Sequence, residues 1–308
     1  MIQRGTYQVV PMKGKGLGAI ATTFIKQGSV IVDSDPGLLR VMIREMQVFD
    51  QQHLDLDRRS ECYFDLRATY FQPMLEEQLL LLPQGLQEAI MGLHDRAGEA
   101  SKSVAGIFFT NAIATEGDDF VLCHMVGRFN SSCQQNAVYE WCDREASASV
   151  RAVWDIAKGE EICIFYGSTG DLLKPRRERQ EFLRYWGFTC ACSSCMDPLS
   201  DERRARILEI KRAFEDENVI KIPIIQRYEL AKEQLRLYQK ERVFFSGYFQ
   251  ALTNCVQLSQ SAHEEPQERR HLAELAVHHV KVFFPQNDHL LKECHKALGL
   301  TSAEPNLA

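Results

Sequence analysis

Three cysteines, Cys190, Cys192 and Cys195, stand in a C-x-C-x2-C arrangement within six residues. Thiolates at such spacing suit zinc, and three of them leave a tetrahedral ion one ligand short. A fourth has to come from another part of the chain. Cys133, which closes the stretch Arg128-Phe129-Asn130-Ser131-Ser132-Cys133, is the best candidate. A metal shared in this way would clamp residues near 190 over the middle of the chain, and the cleft so closed is expected to be the working site. The other cysteines, Cys62, Cys123, Cys142, Cys163, Cys255 and Cys294, are isolated in sequence, where a thiol usually serves as a small buried hydrophobe.

Two further stretches could carry chemistry. In Gly14-Lys15-Gly16-Leu17-Gly18, three glycines in five residues let the backbone come close to a ligand and leave its N–H groups free to donate. By itself the same pattern is an ordinary hairpin turn. Tyr166 ends Ile162-Cys163-Ile164-Phe165-Tyr166, just after the turn Gly159-Glu160-Glu161; alone, it reads as a half-buried strand tyrosine. Arg176, Arg177 and Arg179 form a basic run that could attract an acidic partner, although such runs on helices are more often solvated faces.

The elements that would position these groups follow from periodicity. Short strands are predicted at Thr6–Val10, Gly18–Thr22 and Ser29–Val32, and again at Ile107–Thr110, Asp119–Cys123, Asn136–Trp141, Ala148–Val153 and Ile162–Gly167. From about residue 38 to 105 apolar residues recur at helical steps, beginning with Leu38, Leu39, Met42, Met46 and Phe49, and Pro73 and Pro83 should break this run into separate helices. Residues 174–186 form a basic amphipathic helix leading into the cysteines. Helices are also predicted at Arg203–Glu215, Ile224–Gln239, Phe244–Ser261, Glu268–Phe283 and His289–Leu298, resembling tetratricopeptide-like pairs without a strict repeat. Their aromatics, Tyr228, Tyr238, Phe244, Phe245, Tyr248 and Phe249, are expected to pack a core.

The chain has 308 residues, 45% hydrophobic and 25% charged, a soluble globular composition long enough for two domains. A net charge of −6 argues against direct nucleic-acid binding. The sequence shows no apolar run long enough for a membrane span and no signal-peptide core at its start. An intracellular protein, cytoplasmic or nuclear, is expected, with cysteines reduced or metal-bound.

Taken in order, G-K-G-L-G-A, R-F-N-S-S-C followed by N-A, G-E-E-I-C-I-F-Y-G and W-G-F-T-C-A-C-S-S-C resemble the SET-domain protein methyltransferases. The likeness is to the subfamily whose SET core is split by an insertion and followed by a post-SET zinc cluster and a helical region. In animal members the insertion is a MYND zinc finger; here its cysteines are lacking and the insertion is helical. The resemblance implies an α+β chain: a β-rich SET core at 1–37 and 104–170, a helical insertion at 38–103, a post-SET helix and zinc cluster at 171–198, and an all-α, TPR-like domain at 199–308.

It also implies S-adenosyl-L-methionine as cofactor, structural zinc on Cys133, Cys190, Cys192 and Cys195, and transfer of methyl to a lysine of a protein substrate, histones included. Lys15, Gly16, Leu17 and Gly18 would line the methionine half through their backbone. Asn130 and the main chain of Ser131 would take the ammonium and the adenine edge, and Phe188 would stack on the purine. Tyr166 would be catalytic, touching both the cofactor and the lysine channel, with Trp186 as a wall of that channel. Relatives usually read N-H-S-C-x-P-N, so Ser131 and Gln135 are departures. They leave a binding protein that uses its helical domain as a partner platform, or an enzyme acting on a small metabolite, as alternatives. A monomer is expected.

Overall fold

Buried side chains recur at every second position at Tyr7 and Val9 and again at Ala19 and Ala21, the period of strands that cover a core with one face. In the computed structural model, which describes residues 2–58, 60–262, 265–283 and 292, these residues lie on β2 (Tyr7–Met12) and β3 (Gly16–Ala21), after a short β1 (Ile2–Arg4). β4 (Val30–Pro36) and β5 (Leu39–Val41) follow, then helices α1 (Ile43–Gln52), α2 (Glu61–Leu80), α3 (Gln84–Met91) and α4 (Val104–Asn111). The chain returns to strands with β6 (Ile113–Ala114), β7 (Phe120–Leu122), β8 (Asn130–Ser131), β9 (Ala137–Cys142), β10 (Ser147–Ala152) and β11 (Glu161–Ile164). Thereafter it is helical, through α5 (Arg176–Leu183), α6 (Ser193–Met196), α7 (Ser200–Glu215), α8 (Ile224–Glu241), α9 (Ser246–Ser261) and α10 (Pro266–Phe283).

By contacts the chain falls into two units. The first comprises Met1–Ser132, Asn136–Tyr166 and Glu181–Cys190; the second comprises Cys133–Gln135, Gly167–Gln180 and the chain from Ala191. In the first, the strands form sheets ordered β1-β2-β3-β11-β8, β4-β10-β9 and β5-β7-β6. β11 runs antiparallel to β3, with Glu161 opposite Ile20, and parallel to β8, with Cys163 opposite Asn130. β11 therefore lies between β3 and β8. One core cluster, including Tyr7, Val9, Phe129, Val150 and Ile162, packs the strands. Another, including Phe49, Phe64, Phe71, Leu75 and Phe108, packs the helices.

In the second unit α7 packs on α8, α8 on α9 and α9 on α10. Tyr228, Tyr238, Phe244, Tyr248 and Phe249 are buried, and the rings of Phe244, Tyr248, Phe249 and Phe283 surround His279. No helix among the described residues is long and apolar enough to cross a membrane. The helix predicted at His289–Leu298, like Cys294, lies outside the described residues.

Three local expectations need correction. Ile107-Phe108-Phe109-Thr110 belongs to helix α4, not to a strand. Every residue from Val104 to Thr110 is buried, so the run is apolar all round and shows no period that separates buried helix from buried strand. The Ser103 side chain caps its start, accepting from the Gly106 N–H at 2.9 Å. Pro73 does not end a helix but lies inside α2. A mid-helix proline costs about 3 kcal/mol, and burial of Phe71 and Leu75 beside it returns roughly 1.5–3 kcal/mol each. Leu39, counted with the helical run, is in β5 and pairs with Leu122.

Candidate functional site

In the first unit, the residues singled out by sequence converge on β3, β8 and β11. Lys15, Gly16 and Leu17 are exposed and Gly18 is buried; Gly16 has φ +70°, a left-handed backbone that favours glycine. Asn130 Nδ2 donates to the Leu17 carbonyl at 3.1 Å and to Glu161 Oε1 at 2.9 Å. Lys15 Nζ pairs with the other oxygen of Glu161 at 2.5 Å. Burial lowers the Lys15 ammonium while the bond to Glu161 raises it, and the net effect is upward, so it stays charged.

Tyr166 follows β11. Its hydroxyl donates to the Phe129 carbonyl at 2.9 Å, and its own N–H donates to Ser131 Oγ at 3.2 Å. Ser131 thus holds the backbone of Tyr166. Burial pushes the Tyr166 phenol well above its ordinary value, with Cys163 and Glu161 adding in the same direction. The phenol is therefore neutral at physiological pH. Trp186 lies 5.5 Å from the Tyr166 ring, and Phe188 meets that ring edge-on at 6.3 Å. The Trp186 indole N–H donates to the Thr110 carbonyl at 3.1 Å, which ties it to α4. Tyr166, Trp186, Thr110, Ile113, Val126 and Tyr139 help to line a narrow cleft of about 40 Å³.

The cysteine cluster forms as expected: the sulfur atoms of Cys133, Cys190, Cys192 and Cys195 all lie within 4.8 Å of one another. Four converging thiols fit a closed structural zinc site, with no coordination position left for catalysis. Their surroundings in the second unit fit it too. Arg179 and Arg204 are fully buried. Arg179 Nη2 approaches Cys195 Sγ at 3.8 Å, and Arg204 Nη2 donates to the Cys133 carbonyl at 3.1 Å. Between Arg203 and Arg204 sits the buried carboxylate of Glu241, which also accepts from Ser194 and Ser200 at 2.9 and 2.6 Å. Burial raises Glu241, but Ser200 and the two arginines outweigh it and hold it below the usual range.

Sequence reasoning missed Glu161, Thr110 and Arg179 as parts of these sites. Glu161 was visible only as part of a turn. Thr110 fell in the misassigned strand. Arg179 belongs to a basic run read as solvated, whereas Arg176 and Arg177 are exposed and Arg179 is not. Its spacing of four from buried Leu183 places it on the inner face of α5, a signal that was available. Gln135 is buried and donates to the Phe244 carbonyl at 3.0 Å.

Residues 16–167 match the SET domain family. Over 227 residues the chain is 30% identical to the histone-lysine N-methyltransferase set5 of Schizosaccharomyces pombe, an alignment that spans 71% of this chain and 60% of that protein. It is 32% identical over 96 residues to the protein-lysine N-trimethyltransferase SMYD5 of Danio rerio, spanning 29% of this chain and 23% of the relative. The N-lysine methyltransferase SMYD2-B of Danio rerio is 39% identical over 90 residues, 28% of this chain and 20% of its own. The chain thus spans less than two thirds of each of these relatives. Among solved structures, the SET domain of LSMT bound to lysine and AdoHcy aligns over 97% of this chain and 84% of that one, at 12% identity and a TM-score of 0.32, an overlay too loose to transfer detail.

Proposed function

We propose, from the premise that this chain is a SET-domain protein, that it is an S-adenosylmethionine-dependent protein-lysine N-methyltransferase. The observation that carries this is Tyr166, a neutral phenol fixed at both its backbone and its hydroxyl, on the wall of a narrow aromatic cleft. Bound S-adenosylmethionine would supply a methyl group made electrophilic by its sulfonium. Backbone groups of Lys15 to Gly18, the Asn130 amide and the main chain of Ser131 would hold its polar end and adenine edge, and Phe188 would stack on the purine for about 1–3 kcal/mol.

The accepting lysine has to be neutral to attack, and enclosure in the cleft favours the uncharged amine. The Tyr166 oxygen, whose O–H donates to the Phe129 carbonyl, keeps lone pairs with which to orient an amine N–H. Orientation of this kind can lower a barrier by up to about 7–11 kcal/mol. Trp186 would exclude water from the aliphatic stem of the lysine. Zinc on Cys133, Cys190, Cys192 and Cys195 would hold the segment that carries Trp186 and Phe188. One relative is named for histones, so core histones are the first substrate to test, in a nuclear or cytoplasmic setting.

The test is transfer of labelled methyl from S-adenosylmethionine to core histones and to a protein lysate. Tyr166→Phe should lower incorporation at least about a hundredfold while circular dichroism and cofactor binding are kept. Equal labelling by the variant, or a wild type that fails to bind the cofactor in calorimetry, overturns the reading.

A further inference from the structure

We propose that Glu161 is a positioning residue that sets the polarity of the Asn130 amide, so that the pocket recognises a cationic ammonium. The inference rests on the methyltransferase reading above. Asn130 Nδ2 faces two acceptors, the Leu17 carbonyl at 3.1 Å and Glu161 Oε1 at 2.9 Å. With the amide reversed, its oxygen would stand against two other oxygens. Only the NH2 end fits, and Oδ1 is left to accept. An α-ammonium has three N–H donors and no acceptor, so Asn130 can bind it in this orientation and would repel it in the other.

Leu17 alone would favour this orientation through one neutral bond. The carboxylate supplies a charge-assisted bond, roughly twice as strong. The rest of the local structure serves that contact. Lys15 occupies the second oxygen of Glu161, which leaves Oε1 to Asn130. The strand order puts β11 between β3 and β8, and the Glu161 side chain reaches across to Asn130 on β8. Gly18 keeps the space clear: a Cβ there would come within 2.7 Å of Asn130 Nδ2 and 3.0 Å of Glu161 Oε1.

The test compares two ligands by calorimetry on the full chain. S-adenosylhomocysteine carries the amino-acid end; 5′-methylthioadenosine lacks it. In Glu161→Gln, the affinity for S-adenosylhomocysteine should fall about tenfold or more, the range set by one charged hydrogen bond, and that for methylthioadenosine should not change. On an Asn130→Ala background the same substitution should add little, because Glu161 acts through the amide. Equal loss for both ligands, no loss for S-adenosylhomocysteine, or a full additional loss on the Asn130→Ala background overturns the proposal. A wild type that binds neither ligand removes the methyltransferase reading and this inference with it; one that binds both, with Glu161→Gln unchanged, removes the inference alone.

Discussion

The two candidate sites are built from opposite kinds of group. Around Asn130, Tyr166 and Trp186 the protein presents acceptors: the carbonyls of Leu17, Phe129 and Thr110 and the carboxylate of Glu161. Around the cysteines it presents cations and donors, with Arg179 and Arg204 fully buried. These acceptors take the donors of Asn130, Tyr166 and Trp186, with Lys15 on the second oxygen of Glu161, and so fix the orientation of the site's own side chains. A zinc ion on four thiolates would carry a net double negative charge, which the buried guanidinium groups would offset. The difference teaches that the two clusters are fixed by opposite means, the first by acceptors that hold its donors and the second by buried guanidinium groups.

The comparison breaks most visibly at the thiols. Cys195→Ser should lower bound zinc from about one ion per chain to almost none in elemental analysis, since structural sites need all four ligands; undiminished zinc would mean that the cationic surroundings serve some other purpose. A smaller effect separates the two sites by stability. Arg204→Met removes one partner of a buried pair and should cost about 3–5 kcal/mol in urea unfolding, whereas Tyr166→Phe, which loses one neutral hydrogen bond, should cost about 1 kcal/mol. Similar costs for the two would erase the contrast.

A further effect is one of pH. Burial lowers His279 from 6.5 to about 4, with the Leu275 carbonyl opposing and His278 assisting. Its folded value lies below its unfolded value, so between these limits the unfolded chain binds the extra proton. Stability from this group is complete above about pH 6.5 and is lost as pH falls toward about 4, up to about 3 kcal/mol in all. His279→Phe should flatten the stability profile in that window; an unchanged slope would assign acid sensitivity elsewhere, to the first unit included.

The glycine-rich strand, β11 and the cysteine cluster were legible because their signals are local: alternation, turn residues and close thiols. Even Cys133 could be picked out, since the three thiols called for a fourth. Helix α4 was not, because a short run buried on every side has no period. Pro73 misled because tertiary burial of Phe71 and Leu75 outweighs a local penalty. Glu161, Arg204 and Glu241 act on residues far away in sequence, and no spacing rule reports that a carboxylate will find an asparagine 31 positions earlier. The departures at Ser131 and Gln135 looked like losses when judged against relatives. Each turns out to make a hydrogen bond of its own.

The contact from Gln135 to the Phe244 carbonyl, with Glu241 a few residues before it, bears on how the chain can be cut. Shortening it to end before α7 would strip partners from the Gln135 amide, Ser194 and the Cys133 carbonyl at once. Each lost hydrogen bond costs about 0.5–1.5 kcal/mol, and a domain has only about 5–15 kcal/mol in reserve. The helices after residue 199 thus help to hold the segments around Cys133 and Ser194, and a shortened chain that keeps these segments ordered has to retain them.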